Sequence, residues 1–369
     1  MIARKLLILN FIAIVGTVIH HATHWVVTDI LFWWPEKFGS NYPLDTLIGQ
    51  AALILLRTID AIAIVAVPIF VLITGYTVTK VISSQVSLLK NYQIVLGRLR
   101  NILIPYLIWS AVWITFRVWQ GEVFSINDLG ILFLWGRAAN EYYYIPILVQ
   151  MYLLAPLWLR LVRKFPVLAL GIAIAINLVA RIPFYLYQLS AVHRVGWLAM
   201  FINWQAPTYL IWFTCGLIFG FHLDSIYAWI QSHRTLLFEA TSLALVLVVI
   251  EVSWFSDRLG KPWVYSNSML SSQIFSILLA ACLVSLNLGK LPYQKALMRF
   301  GTQSLGIYLM HSFVLAITAK GVFHVFPALL SQPFIFYVVL VLLGVGVPLA
   351  IMKLADISPM KRFSYVFFG

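Results

Sequence analysis

The chain has 369 residues, of which 62% are hydrophobic and only 10% are charged. This composition excludes an ordinary soluble protein. Because the apolar residues come in unbroken runs rather than in alternation, it indicates an all-α membrane protein and not a β-barrel. The formal net charge of +13 is explained by the excess of lysine and arginine that membrane proteins carry on their cytoplasmic side, so no nucleic-acid partner is expected.

Ten apolar runs predict transmembrane helices packed in one bundle. They cover residues 6–26, 59–79, 101–119, 143–162, 166–184, 205–222, 235–255, 269–288, 303–319 and 332–353. When these runs alternate in direction, most lysines and arginines fall on the side of the N-terminus, which predicts that both termini are cytoplasmic. No repeat, low-complexity tract or soluble domain interrupts the pattern, so residues 1–369 are predicted to form a single membrane domain.

The first span, LLILNFIAIVGTVIHHATHWV, carries polar side chains within apolar sequence. On a helix these side chains collect on one face, and His20 points well away from that face. The face consists of Asn10, Thr17, His21 and His24. A histidine in a membrane is costly and therefore indicates function, and an imidazole is suited to proton abstraction near neutral pH. His21 is predicted to be a general base.

The third span is preceded by a basic segment, GRLRNILIPYLIWS, that contains Arg98 and Arg100. We expect both to lie at the cytoplasmic surface of the membrane, where guanidinium groups can bind phosphates through charge-assisted hydrogen bonds. They are also explained, and on the sequence alone more simply, as charges that only set the topology and extend toward lipid headgroups.

The fourth span opens with NEYYYIPILVQMYLLAP, which places Glu141 beside three tyrosines at its outer end. A carboxylate there can orient a histidine or a sugar hydroxyl, although exposed loop carboxylates are also ordinary. Tyr143 and Tyr144, with Trp204 in a later outer segment, are candidates for binding a sugar acceptor. Anchoring at the membrane interface explains such aromatic residues at least as well.

The ninth span, within GTQSLGIYLMHSFVL, carries a second polar stripe formed by Ser304, Tyr308 and His311. Their spacing puts the three side chains on one helix face, which in a membrane indicates that they face a cavity. They are candidate donors to an oxyanion. Cys215 and Cys282 lie within apolar runs and are interpreted as packing residues, and no metal site is predicted.

In this order, these stretches resemble the acyltransferase-3 family of bacterial integral-membrane acyltransferases. The similar pieces are the histidine of the first span, PIFVLITGY, RLRNILIPYLIWS, YYYIPILVQMYLLAP, YLIWFTCGLIFG and SLGIYLMHSFVL. The resemblance implies a multi-pass protein of the bacterial cytoplasmic (inner) membrane, surrounded by lipids, with cytoplasmic acyl-CoA as donor and acetyl-CoA as the expected form. The implied acceptor is a hydroxyl of a cell-surface polysaccharide, a lipid-linked sugar or another envelope molecule.

One position departs from the family pattern. Asn10 stands where the family usually carries an arginine upstream of its histidine, and an amide keeps hydrogen-bonding capacity without the permanent charge. Either another cation, such as Arg4, replaces that arginine, or the donor or the activity differs. We expect Asn10 and Ser304 to help bind the donor, whose phosphates would be held by Arg98 and Arg100.

The resemblance and the residues together predict a mechanism in which His21 deprotonates an acceptor hydroxyl that attacks the thioester, with Glu141, Tyr308 and His311 completing the catalytic group. A route through an acyl-histidine stays open. The alternative function is a proton-coupled transporter or flippase of an envelope precursor, because intramembrane histidines and the nearby Asp60 also suit proton transfer. Transporters often show a duplicated hydropathy pattern, and none is visible here.

Overall fold

The computed structural model describes residues 2–39, 47–189, 205–260, 269–287, 291–357 and 359–369. Within these ranges the protein is all-α, as predicted, and contains no strand. Helices α1 to α16 are, in chain order, Ile2–Thr28, Trp34–Phe38, Leu47–Ala63, Ala66–Val81, Leu88–Trp119, Ile126–Leu134, Tyr144–Lys164, Pro166–Gln188, Ala206–Phe221, Leu223–Ser232, Arg234–Leu259, Leu270–Ser285, Gln294–Thr302, Ser304–Val325, Pro333–Ile357 and Ser364–Phe368. A π-helical turn, Asp29–Trp33, joins α1 to α2.

Eight helical segments of the described chain are long and apolar enough to cross a membrane. Helices α9 and α10, bent by 103° relative to each other, qualify together as a ninth candidate. Helix α12 is shorter, at 16 residues. Nine of the ten predicted runs fall on one helix each and the second falls on two, while length and composition support eight or nine crossings in the part of the chain that the structure describes.

The second predicted span, residues 59–79, is not one continuous helix. Helix α3 ends at Ala63 and α4 begins at Ala66. Pro68 explains the interruption, because its ring clashes with the carbonyl of Ile64 and it has no N–H to continue the helical ladder. A Cβ atom on Gly16 of α1 would lie 3.3 Å from the Ala63 carbonyl oxygen. Glycine at this position therefore lets α1 pack closely against the break.

Helices α4 and α9 also pack at very short range, through glycine. A Cβ atom on Gly75 would lie 3.1 Å from both Gly216 Cα and the Leu217 nitrogen. Without a hydrophobic effect between helices in lipid, such close van der Waals packing is a main source of association. The PIFVLITGY and YLIWFTCGLIFG segments thus pack directly against each other.

The third predicted span starts earlier than expected. Helix α5 begins at Leu88 because the Ser87 side chain caps it by accepting a hydrogen bond from the Lys90 N–H (3.3 Å). The helix has 32 residues. At about 1.5 Å per residue it is about 48 Å long and extends well beyond the hydrocarbon core of about 30 Å. Arg98 and Arg100 lie within it and point in different directions, being two positions apart.

Candidate active site

The best-defined polar contact inside the bundle joins α1 to the last turn of α3. His20 Nδ1 lies 2.5 Å from Asp60 Oδ1; the Asp60 side chain is 4% exposed and that of His20 is 14% exposed. The carboxylate can only accept, so Nδ1 carries the proton in the neutral ring and Nε2 is left as an acceptor. A carboxylate that fixes the tautomer and orientation of an imidazole in this way is a recurring device in base catalysis.

A second imidazole–carboxylate contact lies beside the first. His21 Nδ1 is 3.9 Å from Glu141 Oε1, which is close enough for electrostatic stabilisation but too far for a hydrogen bond. The centroid of the His21 ring is 4.8 Å from that of His20 and 5.3 Å from that of His311. The His24 ring centroid is 4.4 Å from that of His20, so four histidines from two helices share one cluster.

Glu141 reaches this depth because the segment before α7 folds back into the bundle. Gly136 adopts a φ of +65°, which glycine tolerates best, and a Cβ there would collide with the Tyr142 backbone. Arg117 Nη1 donates to the carbonyl oxygens of Arg137 (3.2 Å) and Ala138 (3.4 Å). The same guanidinium hydrogen-bonds Glu122 and thereby lowers the pKa of that carboxyl group. The segment that carries Glu141 is thus held from outside the site.

Tyr308 and His311 of the second polar stripe face the same cluster, but their protons are directed elsewhere. The Tyr308 hydroxyl donates to the Glu141 backbone carbonyl, and His311 Nδ1 lies 2.6 Å from the Tyr308 carbonyl oxygen. Because that carbonyl only accepts, Nδ1 carries the proton and His311 Nε2, buried without a partner among the described residues, is an acceptor. In this arrangement the Tyr308 hydroxyl and His311 Nδ1 contact backbone carbonyl oxygens, and their role as donors to an oxyanion stays a prediction.

A narrow cavity opens beside the cluster, between α1, the α3–α4 break and α12. It is lined by Thr17, His20, His21, Ala63, Ile64, Ala66, Val67, Pro68, Tyr143, Tyr209, Ser272, Gln273 and Ser276. Its volume of about 30 Å³ suffices for a water molecule or two. The buried Ser272 hydroxyl has no partner among the described residues. The cavity therefore brings two imidazoles and a free hydroxyl into one enclosed space.

Comparison with known proteins supplies the class of chemistry. A family model described as an acyltransferase domain matches residues 8–353, nearly the whole chain. The chain belongs to the acyltransferase-3 family. No curated protein and no solved structure matched it. The multi-pass acyltransferase expected from the sequence is thereby established as to family and general activity.

The predicted site residues of this acyltransferase fall into two groups. The structure gathers His21, Glu141, Tyr308, His311 and Tyr143 around the histidine cluster. The others lie apart from it. Tyr144 packs against the Phe70 and Tyr308 rings without lining the cavity, and Asn10 makes a long 3.5 Å contact to the Gly301 carbonyl oxygen. Ser304 begins α14, Arg98 and Arg100 are exposed on α5, and Trp204 lies outside the described residues.

The expectation that His20 lies well away from the functional face is wrong. The cavity extends around α1, so that two side chains about 100° apart on the helix both reach it. Asp60, on α3, provides the partner that holds His20 in place. The sequence offered one signal for this pair, an aspartate inside an apolar run, since such a residue in a membrane needs a partner.

A buried cation was also missed, at the other end of α1. Lys5 is 5% exposed and donates to the carbonyl oxygen of Leu286 (2.8 Å) and to the Tyr227 hydroxyl (2.9 Å). Arg4, considered above as a substitute for the family's arginine, is exposed. At about 1.5 Å per residue Lys5 lies about 24 Å from His21 along the helix, so it ties α1 to the end of α12 and does not belong to the histidine cluster.

The histidines His20, His21 and His24 could also hold a metal ion, because one nitrogen from each lies within 4.8 Å of the others. Neutral imidazole is a common ligand for zinc. His20 already directs Nδ1 to Asp60, so it would ligate through Nε2, the atom that the cavity needs as a base. The sequence predicts no metal, and that expectation stays a prediction.

Proposed function

We propose that this acyltransferase works in the cytoplasmic membrane of a bacterium and uses cytoplasmic acyl-CoA as its donor. The acyl group, expected to be acetyl, is transferred to a hydroxyl of an envelope glycan, a lipid-linked sugar or another envelope acceptor. The observation that carries the proposal is the pair of imidazole–carboxylate contacts beside a cavity inside the helical bundle. O-acylation needs a base of this kind, because an alcohol is a weak nucleophile until its proton is removed.

In the proposed reaction His21 accepts the proton of the acceptor hydroxyl while the oxygen attacks the thioester carbonyl. The C–S bond then breaks, the acyl group stays on the acceptor oxygen, and the imidazolium returns its proton to the departing thiolate. The Glu141 carboxylate, 3.9 Å from His21, stabilises the imidazolium between these two events. Ser272, whose hydroxyl has no other partner among the described residues, is proposed to donate to the oxyanion.

His20 is a second candidate for the base, and a specific observation favours it. Its 2.5 Å contact to Asp60 is much closer than the contact between His21 and Glu141, and it leaves Nε2 as a proton acceptor. Both rings line the cavity. Replacement of each histidine in turn decides between them, because the base is the one whose loss removes the larger part of kcat.

The donor is proposed to enter from the cytoplasmic end of α5 and α7. Arg98 lies close enough to the Tyr152 hydroxyl to interact with it. At about 1.5 Å per residue of helix, Tyr152 lies about 16 Å from Glu141 along the helix axis. A guanidinium at this distance from the site can hold the donor's phosphates while the thioester reaches inward.

The test is transfer of label from radiolabelled acetyl-CoA to a glycan acceptor by purified protein in nanodiscs. His21→Ala should abolish transfer, and Ser272→Ala should lower kcat about tenfold or more, as expected for one oxyanion donor. His233→Ala is the matched control, because His233 is exposed on the connection before α11. Transfer at the wild-type rate in His21→Ala, with a loss in His20→Ala, would assign the base to His20.

The transporter remains as the alternative, supported by the buried His20–Asp60 pair, since a protonatable pair inside a membrane is typical of proton-coupled carriers. The two functions differ in what they consume. Accumulation of an envelope precursor in proteoliposomes without use of acyl-CoA, unchanged in His21→Ala, would favour the transporter. Loss of both activities in the same variant would favour coupled acylation and transport.

A further inference from the structure

A second, larger pocket lies at the opposite end of α7 from the histidine cluster. It has a volume of about 630 Å³ and is formed by the α4–α5 connection and the end of α7. Arg160, Arg163 and Lys164 contribute three cationic groups, and Ser84 and Ser87 contribute hydroxyls. None of the described residues that line it is acidic. The pocket therefore concentrates positive charge without a carboxylate to neutralise it.

The arginines are held in place by the connection that they face. Arg160 Nη2 donates to the Val86 carbonyl oxygen (2.9 Å), and Arg163 Nη1 donates to the Ser84 hydroxyl (2.7 Å). Arg160 Nε is buried and has no acceptor among the described residues. Side chains fixed before binding lose less conformational entropy when a ligand arrives, which is a property of built sites rather than of loose surface charges.

The start of α5 borders the same pocket through its N-cap residue, Ser87. Ser87 is the N-cap of this helix, so the N–H groups of Leu88 and Leu89, in its first turn, have no acceptor within the helix. The helix dipole places partial positive charge at this end. A phosphate is the anion that such N–H groups and a cluster of guanidinium groups both prefer.

The pocket lies at the same end of α5 and α7 as the proposed donor entry, but farther from the histidine cluster than Arg98 is. Arg160 lies about 28 Å from Glu141 along α7 at about 1.5 Å per residue, whereas Tyr152, beside Arg98, lies about 16 Å away. The positive-inside rule concerns the number of cations on the cytoplasmic side and not whether they converge, so it does not account for their convergence at this pocket. Here the three cations converge on one concave surface with the amino end of a long helix.

We propose that this pocket binds a phosphomonoester group. Such a group carries nearly two negative charges and three acceptor oxygens, which matches three cations, two hydroxyls and the N–H groups of a helix start. It could come from a soluble nucleotide with a terminal phosphate or from the headgroup of an anionic phospholipid such as phosphatidic acid. The pocket does not depend on acyl transfer, so its binding can be measured whether or not the proposed reaction is correct.

The experiment uses full-length protein in nanodiscs and two probes. Adenosine 3′,5′-bisphosphate, with adenosine as the unphosphorylated control, is titrated calorimetrically in phosphatidylcholine nanodiscs. Enrichment of phosphatidic acid over phosphatidylcholine is measured by native mass spectrometry in mixed nanodiscs. Both are repeated with Arg163→Gln/Lys164→Gln and with the control Lys353→Gln/Lys361→Gln, which removes the same charge at exposed positions. Ser84→Ala tests the hydroxyl that holds Arg163 without changing the charge.

Binding of either probe should weaken roughly tenfold or more in Arg163→Gln/Lys164→Gln, as expected for lost charge-assisted hydrogen bonds, and stay near wild-type in the control pair. Loss confined to the nucleotide assigns the phosphate to a soluble ligand, and loss confined to phosphatidic acid assigns it to the lipid. Equal weakening in both charge-matched double variants would show a non-specific field and overturn the proposal. So would an absence of saturable binding by either probe in the wild-type protein.

Discussion

Replacement of Glu141 by glutamine isolates the electrostatic part of the proposed mechanism. The two side chains have nearly the same shape, and the Tyr308 hydrogen bond goes to the backbone carbonyl of residue 141, so the fold should be retained. At 3.9 Å a carboxylate and an imidazolium attract each other by at most about 4 kcal/mol at an effective dielectric constant of about 20. With half of this offset by desolvation, about 2 kcal/mol remains, which corresponds to a roughly thirtyfold lower kcat.

The assay is initial-rate transfer from labelled acetyl-CoA, with kcat and KM separated. We expect kcat to fall and the KM for acetyl-CoA to change little, because Glu141 lies far from the proposed phosphate-binding arginine. Glu239→Gln, at an exposed position on α11, serves as the matched control. A kcat for Glu141→Gln within threefold of wild-type, with intact thermal stability, would refute an imidazolium at His21 in the transition state.

Three further predictions follow from the described contacts. Asp60→Asn should lower kcat by at least about tenfold through the loss of the charged partner of His20, and an unchanged rate would remove His20 from the mechanism. Arg98→Gln should raise the KM for acetyl-CoA more than Arg100→Gln does, because only Arg98 is near Tyr152; the reverse order would move the donor path. Gly216→Val should lower the melting temperature by several degrees in scanning fluorimetry, since α4 and α9 must separate, and an unchanged value would show that this contact is not needed.

The elements that the sequence predicts well are those whose signal lies in one continuous segment. An apolar run of sufficient length implies a helix wherever it occurs; nine of the ten runs lie on one helix each, and the second is divided between α3 and α4. The polar stripe of α14 could also be predicted, because the spacing of Tyr308 and His311 puts them on one helix face. In the structure both side chains face the histidine cluster. Local periodicity is enough for such features.

The elements that could not be predicted depend on contacts between distant segments. The 2.5 Å contact between His20 and Asp60 requires α3 to end beside α1, and a helical wheel of α1 alone places His20 on the wrong side. The depth of Glu141 follows from a returning segment fixed by Gly136 and Arg117. In the sequence that segment resembles an ordinary outer loop, since nothing in its composition specifies that it enters the bundle.

At the break before Pro68, the stability of the helix and the position of Asp60 relative to His20 make opposite demands on the sequence. Alanine at this position would restore the missing N–H and let α3 and α4 run on as a single rod, a change that ordinarily strengthens a helix by about 3 kcal/mol. Asp60, which contacts His20, lies in the last turn before this break, so a change in the helix axis here would shift the Asp60 carboxylate relative to His20. Selection for stability alone would therefore replace Pro68. The proline fits a protein in which the position of the Asp60 carboxylate matters more than the stability of a continuous helix.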